Sequence, residues 1–140
     1  TMFSNLQALT NQNKILKKKA KKFNSNFKIY ALVNITCAKT DMIAKKNYLN
    51  YFDKLSDQKA IENFIKKLSG GKKSIISKLQ KDQKIKMAAG IGSYSIIGSP
   101  KSVINQINRI KKTGIDGIAI SFLDYEKELN FFLKNIIKEI

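Results

Sequence analysis

Two runs of almost unbroken apolar character constrain this chain more than any other feature: FKIYALVNITCA from Phe27 to Ala38, and IDGIAISF from Ile115 to Phe122. Both are rich in β-branched and aromatic residues, the signature of strands covered on both faces in a parallel sheet. Parallel neighbours need a long crossover, and the stretch between the runs carries helical periodicity, so a right-handed βαβ unit follows. On strand alternation Phe27, Ile29, Ala31, Val33, Ile35 and Cys37 share one face, and Lys28, Tyr30, Leu32, Asn34 and Thr36 the other. Asn34 and Thr36 lie near the C-terminal end of their strand, where parallel sheets bind ligands. Two strands are too few for an α/β domain of ordinary form.

Helices fill the remainder. Leu6, Leu9, Leu16, Ala20 and Phe23 form the apolar stripe of a first helix, with Lys14, Lys17, Lys18, Lys21 and Lys22 largely off it. Thr40 and Asp41 start a second helix running to about Lys54, its inner face Ala44, Tyr48, Tyr51 and Leu55. Ser56 and Asp57 start a third, carrying Ile61, Phe64, Ile65 and Leu68, which ends at Ser69, Gly70 and Gly71. Ser99 caps a helix with Pro100 at its first position, Val103, Ile104, Ile107 and Ile110 on its buried face and Gly114 as its C-cap. Leu129, Phe132, Leu133, Ile136, Ile137 and Ile140 mark the last helix. Residues 69–95 have glycines at both ends, with a short basic helix over Ser74–Gln83. A stretch of this length between regular elements acts as a lid or a plain surface insertion.

Composition removes several chemistries. With no histidine, the commonest general base, the usual zinc ligand and the Ser-His and Cys-His nucleophile pairs are gone. Cys37 is the only cysteine, which excludes an internal disulfide and a thiolate metal cluster and suits a cytoplasmic location. No apolar run approaches the roughly 20 residues of a membrane helix, and the N-terminus lacks a secretory signal. The chain starts at Thr1, as a piece of a longer chain would. The net charge of +17 invites a polyanion partner, giving an alternative reading as a stand-alone basic module binding RNA or acidic partners. Arg109 is the only arginine, however, and a dedicated nucleic-acid site rarely does without that residue. The lysines therefore read as solvated surface. Gly90, Gly92 and Gly98 miss the dinucleotide spacing and GGKKS misses the P-loop. Asp124, Glu126 and Glu128 sit at the start of the last helix, where carboxylates favour the helix dipole, and they read as capping groups. No catalytic residue is assigned and no metal site.

The run GIGSYSIIGSPKSVINQINRIKKTGIDGIAISFLDYEKELNFFLKNIIKEI resembles the C-terminal part of luciferase-like flavin-dependent monooxygenases, closest to the pyrimidine monooxygenase branch. The resemblance rests on Gly92-Ser93-Tyr94, Ile96-Ile97, Gly98-Ser99-Pro100, Gly114-Ile115-Asp116-Gly117, Asp124-Tyr125 and Glu128-Leu129. A weaker likeness reaches back to about Asn11. It implies that residues 1–140 are the C-terminal segment of a TIM (β/α)8 barrel, incomplete, with about two parallel strands. Residues 5–23 would be the sixth helix, 27–38 strand seven, 100–113 the seventh helix, 116–123 strand eight and 125–140 the last helix.

The lid-type insertion at about 69–95 would close over the cofactor, with Lys72, Lys73 and Lys78 as its lid candidates. The implied chemistry is oxygenation of a small organic substrate with reduced FMN and O2. Most flavin contacts would lie in earlier strands outside this segment, leaving it inactive alone. The expected partners are the missing N-terminal barrel segment, a flavin reductase and a second copy of the chain through an exposed barrel edge. Asn34, Thr36 and Ser121, at the strands' C-terminal ends, and Tyr94, at the far end of the lid, are the pocket-lining candidates. A tyrosine that sulfonate-oxidising relatives carry after strand eight corresponds here to Leu123, which points away from that branch.

Overall fold

A computed structural model describes residues 5–23, 25–68, 70, 81–89 and 93–140, with Leu68 described by its backbone only. The elements are α1 (Leu6–Lys22), β1 (Tyr30–Cys37), α2 (Asp41–Leu49), a π-helical turn (Asn50–Lys54) and α3 (Gln58–Leu68). After these come α4 (Lys81–Ala88), β2 (Tyr94–Gly98), α5 (Pro100–Lys111), β3 (Gly117–Ser121), α6 (Tyr125–Asn135) and a 3-10 turn (Ile137–Glu139). The chain is thus α/β, and the two apolar runs are neighbouring parallel strands, with Tyr30 opposite Gly117 and Asn34 opposite Ser121.

A third strand that the sequence reading did not anticipate, β2, pairs in parallel with the other edge of β1, giving the order β2-β1-β3. This corrects the expectation of two strands. It also differs from successive barrel staves, where chain neighbours are sheet neighbours; the described residues form an open sheet with β1 at its centre. Connections of one hand that cross the sheet in opposite directions, here β1 to β2 and β2 to β3, must lie on opposite faces, and they do. Tyr48 of α2 reaches Ser95 on the face carrying Asn34. On the other face α5 buries Val103, Ile107 and Ile110 with Val33, Ile35 and Ile96.

That second face is the main core. Ala31, Val33, Ile35 and Ile96 are fully buried there under Leu9 of α1 and Phe132 and Ile136 of the C-terminal segment, each large side chain contributing roughly 1.5–3 kcal/mol. Among the described residues the Asn34 face is covered on its β2 side, where Tyr48, Phe52, Ile85 and Ala89 pack around Ile97. Over β3 it is open, with Ala119 and Ser121 exposed. No helix among the described residues is long and apolar enough to cross a membrane.

Local chemistry explains the boundaries. Thr40 Oγ1 accepts the Ile43 amide at 3.2 Å and starts α2. The π turn then adds a residue to the register, seen in the Leu55 amide donating to Asn50 O at 3.1 Å. It turns Phe52 inward and leaves Leu55, expected on the inner face, 70% exposed. At the other end of the sheet Gly114, with φ +81, closes α5 in the left-handed conformation. Its carbonyl accepts Lys17 Nζ at 2.7 Å, and Thr113 O accepts Asn13 Nδ2 at 3.0 Å, so α1 is pinned to the α5–β3 turn. Asp116 completes the tie: its Oδ2 accepts the Ile29 amide at 2.8 Å, joining the starts of β1 and β3. The Gly114–Gly117 motif therefore has a structural purpose in each polar contact it makes.

Two carboxylates act as such ties, and both are held below the ordinary carboxylate range. Asp41 accepts the Ser99 amide at 2.6 Å, its largest stabilisation, with Ser102 and Ser99 hydroxyls next. Asp116 is lowered first by the Ile29 amide, with Lys17 adding to it. A depressed folded pKa contributes stability that is complete above the unfolded value of about 3.9 and is lost as pH falls through the folded value. Acid unfolding is therefore expected to begin below about pH 4. In Asp41→Asn and Asp116→Asn the pH dependence of the urea midpoint should flatten in that window, and an unchanged profile would remove the ties.

Candidate functional site

The parallel register brings small polar residues into a row, from the start of β2 through the middle of β1 to the C-terminal end of β3. Ser95 of β2 and Ser121 of β3 both stand opposite Asn34 of β1 in the parallel register, so all three project from one face at one level. Asn34 is 5% exposed; its Nδ2 donates to Ser121 Oγ at 3.3 Å, and that hydroxyl donates to Val33 O at 3.3 Å. On the β2 side the Ser95 and Tyr48 hydroxyls are 3.3 Å apart. Burial pushes the Tyr48 phenol upward, with Ser95 opposing. The Asn34 carbonyl oxygen is buried and has no hydrogen-bond partner among the described residues. Such an acceptor carries a desolvation cost of about 1–3 kcal/mol that a donor from a ligand would recover.

One level higher Thr36, 1% exposed, stands opposite Ile97 on the same face. Tyr48, which meets Ser95, packs on Phe52 with ring centroids 5.0 Å apart, and Phe52 lines an apolar pocket of about 350 Å³ with Tyr51, Leu55, Ile61, Ala88 and Leu123. An apolar hollow beside a few polar groups at the carboxyl ends of parallel strands is the usual form of a small-molecule site.

The expected pocket residues are thus partly united. Asn34, Thr36 and Ser121 share the face, while Tyr94 does not. Standing opposite Val33, Tyr94 turns toward the helix-covered core, where it is half-buried. The strand register decides this: β2 begins at Tyr94, so alternation puts Ser95 and Ile97 on the Asn34 face. Ser95 and Tyr48 are the members that sequence reasoning missed. The signal for Ser95 was the SYSIIG segment, whose alternation becomes readable only once it is seen as a strand. Lys72, Lys73 and Lys78 lie outside the described residues. Of the helix expected over 74–83, residues 74–80 lie outside the described residues, and 81–83 are helical, within Lys81–Ala88.

A second groove, of about 340 Å³, opens beside the end of β1 and includes Cys37, Lys39, Tyr51, Lys127, Glu128 and Phe131. Glu128 Oε2 accepts the Leu123 and Asp124 amides, both at 3.0 Å, and Asp124 Oδ1 accepts the Lys127 amide at 3.3 Å. The two carboxylates therefore cap α6, as their place in the sequence implied. Burial raises the Glu128 pKa against those two amides. Burial also pushes the Cys37 thiol up to about 11, with the Glu128 charge second. A thiol so placed is protonated near neutral pH and inert as a nucleophile. Among the described residues no group of acids and cysteine is arranged to hold a metal ion.

Asp41 settles another question. The Gly98-Ser99-Pro100 turn at the start of α5 is the kind of helix N-terminus that receives phosphate. Here the chain's own Asp41 carboxylate occupies the Ser99 amide, so that amide is not offered to a second anion.

No family model and no curated protein matches the chain by sequence. Solved structures do match. DmoA from Hyphomicrobium sulfonivorans superposes with a TM-score of 0.78 at 14% identity, covering 99% of this chain and 35% of its own. The oxygenating constituent of 3,6-diketocamphane monooxygenase from the CAM plasmid of Pseudomonas putida, a type II Baeyer-Villiger monooxygenase in complex with FMN, gives 0.53 at 17% identity. It covers 95% of this chain and 38% of its own. The chain therefore spans about a third of the length of these neighbours. Its fold is that of part of a luciferase-like flavin monooxygenase.

Proposed function

We propose, from that shared fold, that this chain is a segment of a luciferase-like flavin-dependent monooxygenase and that the Ser95–Asn34–Ser121 row lines its reaction pocket. The observation that carries the reading is the buried Asn34 carbonyl oxygen in the central one of three parallel strands, without a hydrogen-bond partner among the described residues, on the face that carries Tyr48 and, through Phe52, an apolar pocket.

The residues present fit one end of a flavin and not the other. Asn34 Oδ1 offers an acceptor to an imide or amide N–H, and the pocket around Phe52 and Leu123 suits a planar apolar body. For the phosphate, the Ser99 amide at the start of α5 is taken by Asp41. The phosphate end thus falls to residues beyond the described ones. Reduced FMN, when bound, supplies the activation of O2 for transfer to a small organic substrate, with a flavin reductase as the source of reduced cofactor. This chain's own part is to orient the polar edge of the ligand through Asn34 and to keep water from it with Tyr48, Phe52 and Ile97.

Completion of the site requires more polypeptide. Both edges of β1 are taken, so further strands join at the outer edge of β2 or β3, and the exposed Ala119 and Ser121 become lining. The isolated chain is expected to retain no flavin at micromolar concentration, and the chain joined to its upstream reading frame to bind it, read by flavin fluorescence. In that longer protein Asn34→Leu should lower kcat/KM about tenfold or more, the cost of an unmade buried hydrogen bond. Micromolar FMN binding by the isolated chain would refute the segment reading. Full activity of Asn34→Leu would refute the role of the row.

A further inference from the structure

The first forty residues contain eight lysines and no acid, and the structure shows what that run presents. Every lysine of α1, from Lys14 to Lys22, is exposed, as are Lys28 and, across the α1–α5 contact, Lys111 and Lys112. Asn13 and Lys17 hold the α5–β3 turn against α1, so these cations belong to one end of the molecule, at the starts of β1 and β3. That end is opposite the Asn34 row. Lys17 meets Asp116 at 3.6 Å, and among the described residues no other α1 lysine has an ion pair.

Aromatic rings stand among them. Phe23 is 81% exposed, Tyr30 48% and Phe27, expected inside the strand, 40%. The helix ends at Lys22 and β1 begins only at Tyr30, so Phe23 and Phe27 fall on the connecting segment and outside the core.

We infer that this end of the chain is a binding surface for single-stranded nucleic acid, with lysines on the phosphate backbone and Phe23 and Phe27 as stacking platforms. Charge complementarity selects a polyanion, and the rings select one with flat faces to stack. A membrane surface fits less well. Immersion needs a continuous apolar helix face, and α1 turns Leu9, which is fully buried, into the core, leaving lysines outward. With Arg109 the only arginine, the surface reads backbone and ring and is indifferent to sequence. This inference stands apart from the flavin reading, since it uses the other end of the sheet.

Fluorescence anisotropy of the whole chain with a labelled oligo(dT) of about 12 nucleotides tests it. Between about 50 and 200 mM salt, log affinity should fall with log salt at a slope of roughly −2 to −4, as three to six lysines release counterions. Phe23→Ala with Phe27→Ala should weaken binding about tenfold or more while leaving that slope unchanged. Lys21→Gln with Lys22→Gln should instead reduce the slope by about 1.4. Circular dichroism monitors folding, and Phe23→Ala alone supplies a variant at the more exposed ring. Equal binding by the Phe variants would show a mere polycation and overturn the inference. So would binding to phosphatidylserine vesicles without binding to the oligonucleotide.

Discussion

Gly98→Ala should destabilise the protein by about 2–4 kcal/mol, a shift of about 1–2 M in the urea midpoint. Two costs combine at this residue. Its φ of +153 lies where side chains are rarely tolerated, and an added Cβ would sit 2.6 Å from Ser102 Cβ and 2.9 Å from Asp41 Oδ1. Neither neighbour can yield cheaply. Ser102 Cβ is attached to the first turns of α5, and Asp41 holds the Ser99 amide at 2.6 Å. Relief of the clash would therefore break the tie between the starts of α2 and α5, at the carboxyl ends of β1 and β2. Gly114→Ala is the control, because φ is +81 there and nothing lies within 4 Å of the added carbon. Conformational strain alone should cost about 1–2 kcal/mol. Equal losses in the two variants would mean that crowding at Gly98 contributes nothing and that the Asp41 tie yields freely.

The same contrast shows what could be read from the chain in advance. β1 and β3 were legible because burial on both faces leaves an unbroken apolar run, and their parallel pairing followed from the long crossover. β2 was hidden. It has five residues, Tyr94–Gly98, and its polar Ser95 is tolerated because it meets Tyr48 and the Asn34 row, not an apolar core. Missing that strand placed Tyr94 on the wrong face and left Ser95 out of the site. The π turn was equally invisible: one extra residue exchanged Leu55 for Phe52, and helical periodicity assumes a constant register. Phe23 and Phe27 looked like core residues because hydrophobicity was the only local signal, and exposure depends on where α1 stops and β1 starts. Capping groups such as Thr40 and Asp124 were readable because their chemistry is complete within four residues.

Ile35→Ala is expected to cost about 3–4 kcal/mol, the upper part of the range for a buried aliphatic residue. Ile35 is fully buried in the middle strand, opposite Ile96, and belongs to the cluster with Val33, Val103, Ile107 and Phe132. Strands on both sides and helices above hold the backbone, so the vacated volume cannot be refilled by collapse, and the cavity cost adds to the lost transfer energy. Leu133→Ala offers the opposite case. Phe132 of α6 and Ile136 at its C-cap face the core, while Leu133 of α6 and Ile137 of the 3-10 turn are 45% and 43% exposed and form a second apolar stripe. Truncation of Leu133 in this chain should cost less than about 1 kcal/mol. In the longer protein proposed above that stripe has a neighbour to meet, and the same substitution should become distinctly more costly. Urea melts of both variants in both chain lengths separate the cases. A cost below about 1 kcal/mol for Ile35→Ala would mean that the helix-covered face is not the dry core on which the sheet depends. An unchanged cost for Leu133→Ala in the longer chain would leave the α6 stripe as solvent-facing surface and place the added polypeptide against the edge of β2.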